Sequence, residues 1–170
     1  QENHGDLHNF GTLSNSGRLK NVGTLELAAG SSYDFTGGTL DNYGRLVLRR
    51  NFTFGASDGG TVCLNAGSTL ENYAGMANAA GHVLDNYGTL SNSEYLYNAG
   101  TLRNYGVLAN AGTLELAAGC SYDFTGTTFE NYGTLKLGVD FTFGEAKNGS
   151  MVNSGWVWNL AVLTNPVIED

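Results

Sequence analysis

The sequence predicts an all-β fold, a flat two-sheet parallel β-solenoid of stacked β-arches with about 12 residues per rung and an amyloid-like core. Two observations lead to this prediction: a six-residue repeat, Asn-x-Gly-x-Leu-x, and 25 glycines against a single proline. Charged residues make up only 14% and hydrophobic residues 41%, so the glycines serve an ordered backbone and not a flexible linker. Glycine costs about 1 kcal/mol relative to alanine inside a helix, which disfavours a helical fold.

The hexad runs from Asn3 and again from Asn86. Its x-Leu-x part predicts a short strand with one side chain pointing inward, whereas leucine every six residues would drift around a helix. Its Asn-x-Gly part predicts a tight turn, because both residues tolerate left-handed backbone geometry. The predicted turn residues are Asn9, Gly11, Asn15, Gly17, Asn21, Gly23, Asn98, Gly100, Asn104, Gly106, Asn110 and Gly112. The predicted core residues are Leu7, Leu13, Leu19, Leu25, Leu90, Leu96, Leu102, Leu108 and Leu114.

The residue before each leucine bears on the number of hexads in a rung. Threonine occupies this position at Thr89, Thr101 and Thr113, that is, in every second hexad. This recurrence favours two hexads per rung, and so two facing sheets, over a three-sided hexapeptide prism. Stacked rungs would align the asparagines into ladders.

A longer repeat overlies the hexads. Residues 21–55 match residues 110–144 at 25 of 35 positions. The chain is therefore predicted to be one β-solenoid domain, 1–170, with a duplicated unit at about 3–55 and 92–144, a divergent segment at 56–85 and a C-terminal tail at 145–170. Longer segments that break the hexad carry aromatic residues, which we interpret as core in preference to a sugar-binding strip. They are Tyr33, Phe35, Phe52, Phe54, Tyr122, Phe124, Phe141 and Phe143.

Composition and motifs disfavour several functional classes. The net charge of −8 argues against nucleic acid as a partner, and no apolar run approaches the ~20 residues of a membrane span. No nucleophile elbow, phosphate-binding loop or zinc spacing is present, so neither an enzyme nor a cofactor or metal site is expected. Asp34, Asp123 and Asp140 are candidate acids only because they recur in the duplication, and recurrence in both copies favours a structural role.

Cys63 and Cys120 form a candidate disulfide, within one chain or between subunits, with two buried free thiols as the alternative. The chain starts at Gln1 without methionine, which leads us to expect a removed leader and an extracellular, cell-surface location.

The ends of a solenoid expose unpaired N–H and C=O groups, and monomeric solenoids cap them. The hexad begins at Asn3 without a capping helix. Near the other end, Trp156 and Trp158 lie on one strand face and form a candidate assembly edge. The predicted partner is therefore the protein itself, in a homopolymer formed through strand edges.

The N-x-G-x-L hexads and their Thr-Leu strands resemble two families over most of residues 3–155. One is the repeat region of filamentous-haemagglutinin-like bacterial adhesins, which implies a long β-helix that binds a glycan or host surface. The other is the tubular sheath proteins of methanogenic archaea, which implies small subunits that stack into an amyloid-like hoop around the cell. The short chain and uncapped ends favour the sheath-like structural subunit, with the adhesin as the alternative. An ice-binding solenoid with a rank of Thr89, Thr101 and Thr113 is a minor alternative.

Overall fold

The computed structural model describes residues 1–55, 61–125, 128–142 and 150–164. All helices and strands assigned in these residues are β-strands, and consecutive strands lie on three different faces of a solenoid. The first face contains β1 (Glu2–Asn3), β4 (Arg18–Asn21), β7 (Thr39–Asn42), β10 (Thr61–Leu64), β13 (Val83–Asn86), β16 (Thr101–Asn104) and β19 (Ser121–Asp123). The second contains β2 (Asp6–Asn9), β5 (Thr24–Leu27), β8 (Arg45–Leu48), β11 (Thr69–Asn72), β14 (Thr89–Asn92), β17 (Val107–Asn110), β20 (Thr128–Asn131) and β23 (Ser150–Asn153).

The third face is made of two hydrogen-bonded groups of strands. A pair contains β3 (Thr12–Ser14) and β6 (Ser32–Asp34). A six-stranded sheet contains β9 (Phe52–Phe54), β12 (Gly75–Asn78), β15 (Tyr95–Asn98), β18 (Thr113–Leu116), β21 (Thr134–Leu137) and β24 (Trp156–Asn159). β22 (Phe141–Thr142) and β25 (Leu163–Thr164) pair with each other.

Every strand pair in the described residues is parallel, which confirms the predicted all-β parallel solenoid. The predicted two-sheet cross-section with about 12 residues per rung is wrong. Thr89 pairs with Val107, 18 residues later, and Arg45 pairs with Thr69, 24 residues later. Each coil therefore contains three hexads and has three faces. From the first coil to the eighth, seven steps of about 4.8 Å give a rod about 34 Å long.

The corners explain why three strands are needed to close a coil. The structure places left-handed backbone at six glycines in the described residues, none of them a predicted turn residue of the hexads, and at no non-glycine residue. The prediction that Asn-x-Gly turns through left-handed geometry is therefore wrong. A corner built from ordinary right-handed and extended conformations turns the chain gently, so a third strand is required before the chain returns to its starting face. The left-handed glycines instead serve longer corners, as at Gly30, Gly81 and Gly119.

The core lies along the axis between the three faces. A typical four-residue strand buries its second and fourth side chains, as β14 buries Leu90 and Asn92, because strand side chains alternate between two sides. Most predicted core leucines are buried, and Leu7 and Leu13 in the first coil pack against the core while partly exposed. Each strand thus contributes two inward residues and not one.

The two copies of the duplicated unit lie on different faces. Strands β5 to β9 of the first copy correspond to β18 to β22 of the second, which is 13 strands later in the chain. Thirteen strands are four coils and one face, so the second copy is rotated by one face around the axis. The aromatic residues follow the same rotation, and their predicted core role is confirmed for Phe35, Phe52, Phe54, Phe124 and Phe141. Tyr33 and Tyr122 pack against the core while partly exposed, and Phe143 lies outside the described residues.

Candidate interaction surfaces

Buried asparagines form hydrogen-bonded ladders along the corners, as predicted. In the second face, Asn72 Nδ2 donates to Asn92 Oδ1 at 2.7 Å, and Asn92 Nδ2 donates to Asn110 Oδ1 at 2.7 Å. The ladder continues through Asn131 to Asn153, also at 2.7 Å for each step. Every step has the same direction, because each amide nitrogen donates towards the C-terminal end of the solenoid.

The same amide nitrogens also hold the corners in place. Asn110 Nδ2 donates to the backbone oxygen of Gly112 at 3.2 Å and to that of Thr134, one coil later, at 3.0 Å. Main-chain N–H groups at the corners donate in the opposite direction, as Thr134 N donates to Gly112 O at 2.8 Å. The predicted turn asparagines therefore act through their side chains and not through unusual backbone conformation.

The hexad glycines are required by the close stacking of corners. A Cβ atom on Gly106 would lie 2.0 Å from the backbone oxygen of Gly88, and one on Gly23 would lie 2.1 Å from that of Gly5. Gly100 and Gly112 face similar contacts with the coil before them. In each case the contact is made with the preceding coil, so these glycines mark a surface on which another coil sits.

The first coil differs from the others in this respect. A Cβ atom on Gly5, Gly11 or Gly17 would meet nothing within 4 Å, and none of the three has a left-handed φ. These positions carry the hexad glycine without the neighbour that requires it in later coils. The first coil thus presents a flat, glycine-lined end.

The last described coil presents the complementary end of the ladder. Within the described residues, Asn153 Nδ2 donates to Gly155 O at 3.3 Å and Asn159 Nδ2 to Ala161 O at 2.7 Å, both within their own corners. Asn131, one coil earlier, also reaches Asn153 Oδ1 and Trp156 O in the following coil. The amide donors of the final coil are therefore available to a further coil.

Trp156 and Trp158 lie on β24, the last strand of the third face, with 75% and 60% of their surface exposed. Their side chains project outward from the face, because Val157 between them points towards the core. The tryptophans thus lie at the sheet edge but extend the outer face, where they line a shallow groove with Thr113, Thr134 and Lys136.

Cys63 and Cys120 are free, partly buried thiols. Cys63 lies in β10 and Cys120 directly precedes β19, three strand steps apart on the first face, which is about 14 Å. A disulfide requires Cα atoms within about 7 Å, so the two cannot pair within one folded chain. Burial raises the pKa of both thiols and disfavours the reactive thiolate. Pairing between subunits stays a prediction.

The candidate acids serve the corners. Asp34 accepts a hydrogen bond from Thr36 N at 3.0 Å and Asp123 from Thr125 N at 2.9 Å, while Asp140 accepts one from Val162 N at 3.0 Å. The bonds from Thr36 and Thr125 lower the pKa of Asp34 and Asp123. Asp34 and Asp123 lie on different faces and are not brought together.

The threonine rank proposed for ice binding does not exist. Thr89 lies on the second face, Thr101 on the first and Thr113 on the third, because a 12-residue spacing is two thirds of an 18-residue coil. No group of three or more His, Cys, Asp or Glu residues suited to a metal ion occurs in the part of the chain that the structure describes. The described residues likewise include no helix long and apolar enough to cross a membrane.

Comparison of the chain with protein-family models, with curated proteins and with solved structures finds no match.

Proposed function

We propose that this chain is a structural subunit that stacks through its strand edges into a cell-surface polymer such as a sheath or filament. The observation that carries the proposal is the glycine-lined end of the first coil. Glycine raises the conformational entropy of the unfolded chain, so an unneeded glycine costs stability. Gly5, Gly11 and Gly17 have room for a Cβ atom within one chain. A coil of a second subunit stacked beneath them would give all three the role that Gly23 has against Gly5.

The direction of the hydrogen bonds supports head-to-tail stacking. Side-chain amides donate towards the C-terminal end and corner N–H groups donate towards the N-terminal end. A last coil therefore offers amide donors and main-chain oxygens, while a first coil offers the matching N–H groups and asparagine oxygens. Two unlike surfaces that meet in this way form a heterologous contact, which extends into an open filament unless a rotation closes it.

The proposal predicts that alanine at the first-coil glycines blocks assembly without weakening the fold. In a Gly5→Ala, Gly11→Ala, Gly17→Ala variant, the added Cβ atoms would meet the main chain of the docking coil. The isolated subunit should be as stable as the natural chain or more so, because no contact opposes the new methyl groups. Ser16→Ala, an exposed change in the same corner as Gly17, serves as the matched control.

Sedimentation velocity over a range of concentrations, electron microscopy and thermal unfolding test the prediction. The natural chain and Ser16→Ala should form concentration-dependent filaments that diffract at about 4.8 Å, the spacing between strands. The triple variant should stay monomeric with an unchanged or higher melting temperature. A natural chain that is monomeric at all concentrations, or a triple variant that assembles equally well, would show that the proposal is wrong.

A further inference from the structure

The outer surface of the third face carries two aromatic ridges separated by a polar trough. One ridge is Tyr95 and Tyr97 on β15, and the other is Trp156 and Trp158 on β24. The register places β18 and β21 between them, so the ridges are three strand steps, or about 14 Å, apart. The floor between the ridges consists of Thr113, Glu115, Thr134 and Lys136.

The tyrosine ridge is held in a defined orientation. Tyr95 Oη donates to a carboxylate oxygen of Glu115 at 2.7 Å, so the ring leans across the face towards the trough. The planes of the Tyr95 and Tyr97 rings differ by only 15°, with ring centroids 6.4 Å apart. A preorganised pair of rings loses little conformational entropy when a ligand binds.

The trough floor is rich in hydrogen-bonding groups but has no excess charge. Lys136 Nζ and Glu115 Oε2 lie 3.7 Å apart and compensate each other, and the two threonines supply hydroxyl groups. Beside the tryptophans, this floor forms part of a groove of about 420 Å³. Such a surface suits a ligand that is neutral, has many hydroxyl groups and also presents apolar C–H faces.

The size of the face argues against a protein partner. Five strand steps from β9 to β24 by four residues along a strand give about 24 Å by 13 Å, or about 310 Å². Stable protein–protein interfaces bury about 800 Å² on each partner, more than twice this area. A single extended polymer chain lying along the strands needs only the width between the ridges.

We infer that the third face binds a neutral polysaccharide, whose sugar rings pack their C–H faces against the Tyr95–Tyr97 and Trp156–Trp158 ridges while their hydroxyl groups bond to the trough floor. This inference does not depend on self-assembly, because the ridges face outward and the proposed stacking uses the solenoid ends. A polymer that assembles as proposed would display the trough once in every subunit.

Affinity electrophoresis in native gels containing hydroxyethylcellulose, laminarin or galactomannan, with polygalacturonate as an anionic comparison, tests the inference. The natural chain should be retarded by at least one of the three neutral polysaccharides. A Trp156→Ala, Trp158→Ala variant and a separate Tyr97→Ala variant should each bind that polysaccharide at least about fivefold more weakly, as aromatic truncations at binding sites do. Tyr132→Ala, which removes an aromatic ring 56% exposed outside the trough, should bind like the natural chain.

Circular dichroism confirms that each variant folds, and sedimentation at the same concentration reports self-association. Retardation that is lost in both ridge variants and kept in Tyr132→Ala supports the inference. No retardation by the three neutral polysaccharides, retardation by polygalacturonate alone, or equal retardation of the ridge variants overturns it. A change in sedimentation on tryptophan replacement without polysaccharide binding would assign the face to a second copy of the chain and also overturns it.

Discussion

Replacing a single buried asparagine should measure the energetic contribution of the ladder. In Asn92→Ala, Asn72 Nδ2 loses its acceptor at 2.7 Å, Asn110 Oδ1 loses its donor at 2.7 Å and Thr113 O loses a donor at 3.0 Å. Asn92 has no exposed surface, so water cannot replace these partners. A buried polar group left without its partner costs about 1–3 kcal/mol, which gives a loss of about 3–5 kcal/mol in the free energy of unfolding. This is a large part of the 5–15 kcal/mol typical of a folded domain.

Urea unfolding followed by far-UV circular dichroism measures the loss. Asn153→Ala is the matched control, because Asn153 is the last asparagine of the same ladder in the described residues and is exposed to solvent. It should cost no more than about 1 kcal/mol, the usual net contribution of one hydrogen bond. If Asn92→Ala and Asn153→Ala differ by less than about 1 kcal/mol, the ladder fixes register without stabilising the fold, and the reasoning above is refuted.

Two further perturbations test the corners. Gly106→Ala places a Cβ atom 2.0 Å from the Gly88 oxygen and should destabilise the fold by about 1–3 kcal/mol in the same urea assay, whereas Gly17→Ala should be neutral or stabilising; equal effects would contradict the stacking role of glycine. Burial lowers the pKa of His82, with a smaller opposing effect from Asp85, so the folded state disfavours the protonated ring. Stability should therefore fall as the pH drops below about 6.5. His82→Gln should remove this dependence between about pH 7.5 and 5.5, above the range in which ordinary carboxylates titrate, and an unchanged pH profile would rule out His82 as its source.

The sequence is sufficient to predict which residues point inward. Leucine and asparagine recur every six residues, and a short strand must place its buried residues on one side, so the core and the asparagine ladders follow from the pattern alone. The number of faces does not follow from it. A six-residue period is shared by two-sided and three-sided coils, and only the angle of the corner distinguishes them. Thr89, Thr101 and Thr113 occupy three faces in turn, so their regular spacing carries no information about stacking.

The third-face trough could not be predicted for a related reason. Tyr97 and Trp158 are far apart in the sequence, and their relative position depends on the length of every coil between them. Those lengths change wherever a corner is extended, as at Ala117–Cys120, where Gly119 adopts a left-handed φ. A two-residue error in one coil moves all later residues around the axis.

The rotation of the duplicated unit by one face has a consequence for how such a chain can change in length. Segment 21–55 and its copy at 110–144 fold alike although they use different pairs of faces, so a strand carries no instruction for a particular face. The unit of insertion or deletion is therefore one hexad and not one complete coil. Gain or loss of a hexad would keep every leucine inward and every asparagine in a ladder, while turning all later outward residues by a third of a revolution. In this architecture a small change in gene length can leave the fold intact and rearrange the entire surface.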